Sequence, residues 1–373
     1  MSILIGGDLV PTESNMKFFM DAKIDHLFEQ DLCELLQNVD YRIFNMEVPL
    51  TDEINPISKN GPCLIAPAQC IEGYKSINVD LVTLANNHIL DQGFKGLYST
   101  MKLCKKHGIS FVGAGENIEK ARKPFIFTNN SKKIGVYACA EHEYSIATNK
   151  SPGANPVDLL EISDHIVDLK RQCDYVIVLY HGGKEHFRYP SPELQKTCRK
   201  LIEKGADLVI CQHSHCIGCE EKYLQGTIVY GQGNFLFDRN DNVYWQTSLL
   251  IHITDDFRVE YIPLKKNKNS VCIAKIEEAK NILKQFEQRS QELNDPEKII
   301  QHYDRLAEQY KNFYILNVLN IKRKLLYRII NKLTRGQLEK HIINDVCNSV
   351  YKYTLKNYVE CEAHRELLLH ILR

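Results

Sequence analysis

Two imidazoles one residue apart, His213 and His215, stand in Cys211-Gln212-His213-Ser214-His215-Cys216 directly after the apolar run 208–211. Imidazole binds divalent metals and moves protons near neutral pH. Similar donors follow other short apolar runs. Asp8 follows Ile3-Leu4-Ile5-Gly6-Gly7, Glu47 stands in Asn45-Met46-Glu47, and Asn87 and His88 stand in Asn86-Asn87-His88. His181 opens His181-Gly182-Gly183-Lys184-Glu185. Carboxylate, imidazole and amide oxygen together suit Mn²⁺, Fe²⁺ or Zn²⁺ without a thiolate. Two such ions about 3.5–4 Å apart and sharing a carboxylate clamp a phosphoryl group and generate a hydroxide nucleophile. Each piece taken singly has a plainer reading. Gly7-Asp8 reads as a turn, His181 as a hydrogen-bonded histidine, and Asn87 or Asp91 as a helix cap. The series of five, each at the end of an apolar run, favours a metal site.

Those runs must be strands for the donors to meet. Strand-length apolar runs fall at 3–5, 41–44, 80–85, 109–112, 134–138, 175–180 and 208–211. Helical spacing fills 24–36, 92–107, 157–172 and 192–204. Alternation of this kind predicts α/β layers with buried strands. In open α/β sheets, sites form beyond the carboxyl ends of the strands. From about 226, short turn-separated runs at 227–230, 235–238, 247–253 and 259–264 predict antiparallel strands that close a sheet. Past the lysine-rich 265–270 the chain reads as helical to its end. The expected division is a catalytic-type domain over 1–265 and a helical extension over 271–373.

Ordered blocks in the first part resemble the bacterial capsule-synthesis family of CapA or PgsA type. They are Gly7-Asp8, Asn45-Met46-Glu47-Val48-Pro49, Ala85-Asn86-Asn87-His88-Ile89-Leu90-Asp91-Gln92-Gly93, His181-Gly182-Gly183-Lys184-Glu185 and Gly231-Gln232-Gly233-Asn234-Phe235. Gly113-Ala114-Gly115 and the stretch Glu119 to Pro124 fit as well. That family is similar to the calcineurin-like metallophosphoesterases. The resemblance implies an α/β fold: a four-layer αββα metallophosphoesterase-like sandwich with an added C-terminal helical region. It implies that Asp8 and His215 bind a first metal, that Glu47 bridges, and that Asn87, His181 and His213 complete a second site. His88 would act as general acid with Asp91 orienting it, and Asn45, Glu185 and Asn234 would line the substrate pocket. Phosphoesterases carry a histidine two residues after the first aspartate, and Val10 stands at that position here. The first metal then has fewer ligands, so one tight and one loose ion, or a single ion, are both open. The expected cofactor is one or two divalent ions, Mn, Fe or Zn, with Mn favoured.

The implied activity is that of a metal-dependent phosphohydrolase in capsule or surface-polysaccharide synthesis, acting on a phosphorylated small molecule or glycan intermediate. The resemblance leaves two alternatives. One is an accessory or amide-polymer-processing role in poly-γ-glutamate capsule synthesis, and the other is a non-catalytic metal-binding relative. Substrate, metal identity and oligomeric state stay open.

Composition narrows the setting. Among 373 residues, Lys+Arg and Asp+Glu are 47 each, so no global field points to nucleic acid. Neither a basic, then apolar leader nor an apolar run of about 18 residues is present, which predicts no signal peptide and no spanning helix. Thirteen scattered cysteines predict buried thiols and a cytoplasmic setting more than a disulfide framework. Cys216-Ile217-Gly218-Cys219 lacks the second pair that a zinc ribbon needs, so packing is expected, with an auxiliary thiolate ligand as the lesser alternative. In the tail, Ile321, Leu325, Ile329 and Leu333 share a helical face, with Leu326 and Ile330 beside them. Lys322, Arg323, Lys324, Arg328, Lys332 and Arg335 surround them with no acid between. This basic amphipathic segment, 320–335, either docks on its own chain or makes a peripheral membrane contact.

Overall fold

The computed structural model describes residues 2–238, 242–268, 270–321, 324–348 and 350–372. Its strands, in chain order, are β1 (Ile3–Asp8), β2 (Tyr41–Asn45), β3 (Leu81–Thr83), β4 (Ser110–Val112), β5 (Ala114–Gly115), β6 (Phe125–Asn129), β7 (Lys132–Ala140) and β8 (Gly153–Ala154). They continue as β9 (Tyr175–His181), β10 (Leu208–Gln212), β11 (Glu220–Tyr223), β12 (Gly226–Val229), β13 (Thr247–Ile253), β14 (Val259–Asn267) and β15 (Ser270–Ile273). The helices up to the end of the second sheet are α1 (Met16–Met20), α2 (Gln30–Gln37), α3 (Ile71–Ser76), α4 (Gly93–Lys106), α5 (Ile118–Ala121), α6 (Leu159–Lys170) and α7 (Pro192–Glu203). Then follow α8 (Ile276–Glu292), α9 (Pro296–Val318), α10 (Leu325–Leu333), α11 (Gln337–Asn348), α12 (Val350–Glu360) and α13 (Glu362–Ile371).

One sheet has the order β15-β14-β13-β1-β2-β3-β4 and the other β11-β12-β10-β9-β7-β6. In the first, β1 to β4 run parallel and β13 adds antiparallel to β1. In the second, β7, β9, β10 and β12 run parallel. Side chains alternate across a strand, and the alternation in the second sheet sorts the layers. Ile134, Val136, Ile177, Leu179, Leu208 and Ile210 join one core with Ile3, Ile5 and Ile43 of the first sheet. Their neighbours Tyr137, Cys139, Val176, Val178, Val209 and Cys211 face the other way, against Ile162 and Ile166 of α6 and Cys198 and Leu201 of α7. Phe19, Leu32, Tyr74 and Leu97 from α1 to α4 cover the far side of the first sheet. The result is the four-layer αββα sandwich.

The seven expected strand runs all carry strands, extended or trimmed by up to three residues at an end, and three of the four helical stretches are placed as expected, whereas in 24–36 a short 3-10 turn at Ile24–His26 precedes α2, which starts only at Gln30. Two details differ near the end of the sandwich. The 227–230 run pairs parallel to β10 instead of antiparallel, because β11 supplies the return hairpin with it. The 235–238 run is not a strand: Leu236 makes one isolated bridge to Leu9 while its neighbours turn toward the site.

The compact units are Met1–Ile300 and Gln301–Arg373. Helix α8, the first of the expected extension, belongs to the first unit. Its Arg289 is buried and donates from Nε to Gly218 O (2.7 Å) and from Nη2 to Ile217 O (3.3 Å). The second unit has its own small core, in which Leu316, Tyr327 and Ile343 are buried.

Candidate metal centre

The parallel strands set the donors at one rim. Asp8 is the last residue of β1 and lies in register with Asn45, the last of β2. His181 ends β9 in register with Gln212, the last of β10, so His213 starts the loop beyond. Gly7 precedes Asp8 where a Cβ would fall 2.0 Å from Gly233 O, so only glycine lets the two loops approach this closely. His213 (φ +87°) and His215 (φ +53°) both hold left-handed backbone. Non-glycine residues rarely adopt it, and such strain is concentrated at functional sites.

Four donor atoms gather at the second-sheet side. His181 Nε2 lies 3.1 Å from Asn87 Oδ1, 3.2 Å from His213 Nδ1 and 3.4 Å from Glu47 Oε1. On the first-sheet side, His215 Nδ1 lies 3.1 Å from Asp8 Oδ2 and 2.8 Å from Asn234 Oδ1. Glu47, His181 and His213 form one donor group, and Asp8, Glu47 and His215 a second, each with its atoms within 4.8 Å of one another. Glu47 is common to both. Asn45 Nδ2 donates to Asp8 Oδ1 (2.7 Å), and Asn86 Nδ2 donates to Asn45 Oδ1 (3.1 Å).

Glu47 tests whether a cation fits. It is fully buried, and neither carboxylate oxygen has a hydrogen-bond partner. A buried, unpaired carboxylate costs on the order of several kcal/mol. Burial, followed by the charge of Asp8, pushes its carboxyl well above the usual range. Burial drives the imidazole of His181 down to about 4 and that of His213 well below its ordinary value. Both are therefore neutral, the form that binds metal. His215 is the opposite case. Burial works against its charge, but the hydrogen bond to Asp8 and the charges of Glu47 and Asp8 raise it to about 9. Burial also opposes the charge on Asp8, yet its contacts with His215 leave it below the ordinary value. The proton on His215 and the raised carboxyl of Glu47 thus mark where a divalent cation would supply the positive charge. The donor set fits one.

His88 is buried beside this centre, and its Nδ1 lies 2.5 Å from Asp91 Oδ2. Asp91 also accepts from Leu64 N (2.6 Å) and from Lys59 Nζ (2.7 Å). With its oxygens committed as acceptors, the shared proton belongs on His88 Nδ1, which leaves Nε2 for chemistry. Glu185 lies on the exposed rim; burial raises its carboxyl, but the imidazoles of His215 and His213 bring it below its ordinary value.

Several neighbours had no marker in the sequence. Lys59 comes from an irregular loop and its side chain is buried, with its ammonium also 3.3 Å from Asn87 O. Glu143 accepts from Asn87 Nδ2 (2.9 Å), and Ser145 Oγ donates to Asn87 O (2.8 Å). Trp245 lies with its ring centroid 4.7 Å from that of His215, and its Nε1 donates to His186 Nε2 (2.9 Å). Cys216 and Cys219 are buried, and burial raises both thiols, Cys216 to about 11. Neither belongs to a donor group among the described residues.

The family described as "Bacterial capsule synthesis protein PGA_cap" matches residues 2–239. A capsule biosynthesis protein CapA of Bacillus anthracis is 32% identical over 225 residues, covering 58% of this chain and 54% of the relative. A PGA biosynthesis protein CapA of Bacillus subtilis is 28% identical over 204 residues, covering 54% of each. The chain therefore spans about half the length of the curated relatives it matches. Among solved structures, a phosphatase from Mycoplasma pneumoniae aligns with a TM-score of 0.47 at 14% identity, over 72% of this chain and 94% of that one.

Proposed function

The chain belongs to the bacterial capsule synthesis protein family PGA_cap, and on that premise we propose that it is a metal-dependent phosphoesterase-like hydrolase acting in the synthesis of a capsule or other surface polymer. The observation that carries the reading is Glu47, a buried carboxylate with no hydrogen-bond partner between two groups of neutral-imidazole and carboxylate donors. Asp8, His215 and Glu47 would hold one divalent cation, and Glu47, His181, His213 and Asn87 a second, with Mn²⁺ favoured. Bound there, such ions supply Lewis acidity to a phosphoryl oxygen and to the attacking water. The remaining work falls to the side chains. His88, fixed through Nδ1–H by Asp91, presents Nε2 to the leaving oxygen; in its doubly protonated form it would give that oxygen the Nε2 proton and be left as the neutral Nδ1–H imidazole. Lys59 and the Leu64 amide keep Asp91 in place. Asn234 and Glu185 would line the approach and orient the substrate, a phosphorylated small molecule or glycan intermediate, whereas Asn45, fully buried with its amide bonded to Asp8 and Asn86, would position Asp8 instead of touching substrate.

A second reading draws on the relatives' names, which include PGA biosynthesis. The same centre would polarise an amide carbonyl, and the substrate would then be an amide-linked polymer. Assay of the purified protein on a panel of phosphoesters beside poly-γ-glutamate separates the two. The proposal expects phosphoester hydrolysis that is lost in chelator and regained with Mn²⁺. It also expects a Glu47→Ala, His88→Ala double variant to lose at least about a thousandfold in kcat, the scale of a missing general acid with a missing ligand. Full turnover by that variant would refute it. Protein that carries no ion and has no affinity for Mn²⁺ or Zn²⁺ would point to a non-catalytic relative.

A further inference from the structure

The second unit shows an unusual surface on α10. The segment 320–335 is not one helix: Asn320 takes left-handed backbone (φ +50°), Ile321 packs into the small core with Leu316 and Tyr327, and the helix starts at Leu325. Lys322 and Arg323 lie outside the described residues.

The helix docks on its unit by one side only. Tyr327 is buried and its hydroxyl donates to Glu339 Oε2 (2.8 Å). Asn331 Oδ1 accepts from Glu339 N (3.0 Å), and its Nδ2 donates to Glu339 Oε2 (3.4 Å). The apolar face points elsewhere. Leu325 and Leu326 are each 69% exposed, Ile329 48%, Ile330 37% and Leu333 77%. At about 100° per residue these five fall within an arc of roughly 140°, clear of Tyr327 and Asn331. Lys324, Arg328 and Lys332 occupy the adjoining arc, all exposed, and Arg335 follows in the turn. From 321 to 338 the sequence holds no acid.

An apolar face bordered on one side by cations alone complements an anionic lipid surface: the side chains enter the acyl boundary and the ammonium and guanidinium groups meet the phosphates. A second protein copy fits less well, since a self-complementary contact would bring the same cations together. Among the described residues no helix is long and apolar enough to cross a membrane, so the contact would be peripheral. We propose that the exposed face of α10 (Leu325, Leu326, Ile329, Leu333) with Lys324, Arg328 and Lys332 binds the surface of an anionic phospholipid bilayer.

The test is co-sedimentation of the full-length protein with vesicles of phosphatidylcholine alone or with 30–40% phosphatidylglycerol, roughly the range in which surface charge dominates binding. The expected result is binding to the anionic vesicles only, at least about tenfold weaker in 0.5 M salt than in 0.1 M because charges are screened. Leu326→Glu with Leu333→Glu, and separately Arg328→Glu with Lys332→Glu, should each lower the partition coefficient at least about tenfold. These side chains are exposed, and an unchanged circular dichroism spectrum confirms that the variants fold. Binding that both double variants retain, or no binding to anionic vesicles, overturns the proposal. So does a concentration-dependent dimer that Leu326→Glu with Leu333→Glu dissolves, because the face would then belong to a second copy.

Discussion

At the scale of single residues, the centre is a set of side chains whose protons stand in for metal. His215, raised to about 9, and Glu47, raised well above the carboxylate range, must both lose a proton before they can ligate. His181, lowered to about 4, and His213, lower than its ordinary value, already lack one at neutral pH. Groups whose protons are displaced by the cation make affinity rise with pH. Apparent Mn²⁺ affinity should therefore climb from pH 6 to about 9 as His215 loses its proton, and binding at pH 7 should release protons. Titration calorimetry in buffers of different ionisation enthalpy measures their number, and Glu47→Gln should lower it. An affinity that is flat over this range would contradict the assignment. Lys59 carries the second prediction. Its ammonium bonds Asp91 (2.7 Å), which in turn fixes His88. Lys59→Met should lower kcat about 10- to 100-fold, the usual cost of losing a group that orients a functional residue, with bound Mn²⁺ unchanged. Lys59→Arg should restore part of it. Loss of metal along with activity would instead mark Lys59 as structural. The sequence could not expose this lysine. It precedes Asp91 by 32 residues in a loop with no periodicity, and only tertiary hydrogen bonds such as Leu64 N to Asp91 and Asn55 N to Gln92 Oε1 bring it in.

At the scale of elements, the donors meet because strands end together, and that much was legible. A buried parallel strand is a continuous apolar run, so its carboxyl end is marked where the run gives way to Asp8, Asn45 or His181. Edge strands such as β6, none of whose five residues is fully buried, and the polar β11 lack such a mark. The loops that close the site are held by contacts that no local pattern records. Helix α8 illustrates this. Its sequence reads as part of a helical tail, yet Arg289 reaches the carbonyls of Ile217 and Gly218 just past His215. A charged donor to buried acceptors is worth about 1.5–3 kcal/mol. Arg289→Met should destabilise the first unit by about that amount in denaturant titration, and a change below about 0.5 kcal/mol would place α8 outside that unit. Gly7→Ala tests the approach of the β1 loop to Gly233. The added methyl meets a backbone oxygen, which a rotamer change cannot relieve. The variant should bind Mn²⁺ more weakly by at least about tenfold, because Asp8 is the next residue.

At the scale of the whole molecule, the cation would tie two sheets together. Asp8 and Glu47 come from the first sheet and its loops, His181, His213 and His215 from the second. Ligation therefore belongs to the folded first unit alone, and binding free energy becomes folding free energy. At a hundredfold excess over Kd this amounts to about 2.7 kcal/mol. With roughly 2.1 cal/mol/K per residue of unfolding entropy, the 300 residues of Met1–Ile300 give a slope near 0.6 kcal/mol/K. Mn²⁺ at that excess should thus raise the melting temperature of this unit by about 4 °C, reversibly with chelator. The burial of Glu47 is a cost when no cation balances it. Glu47→Gln keeps the shape and has no carboxyl whose burial must be offset by taking up a proton, so the metal-free variant should melt higher than the metal-free wild type, by an equivalent of about 1–4 kcal/mol. The same variant should lose the increment that Mn²⁺ confers. A structural carboxylate would show the reverse, a lower melting temperature and an unchanged response to Mn²⁺, since it would contribute to stability through partners that Glu47 does not have.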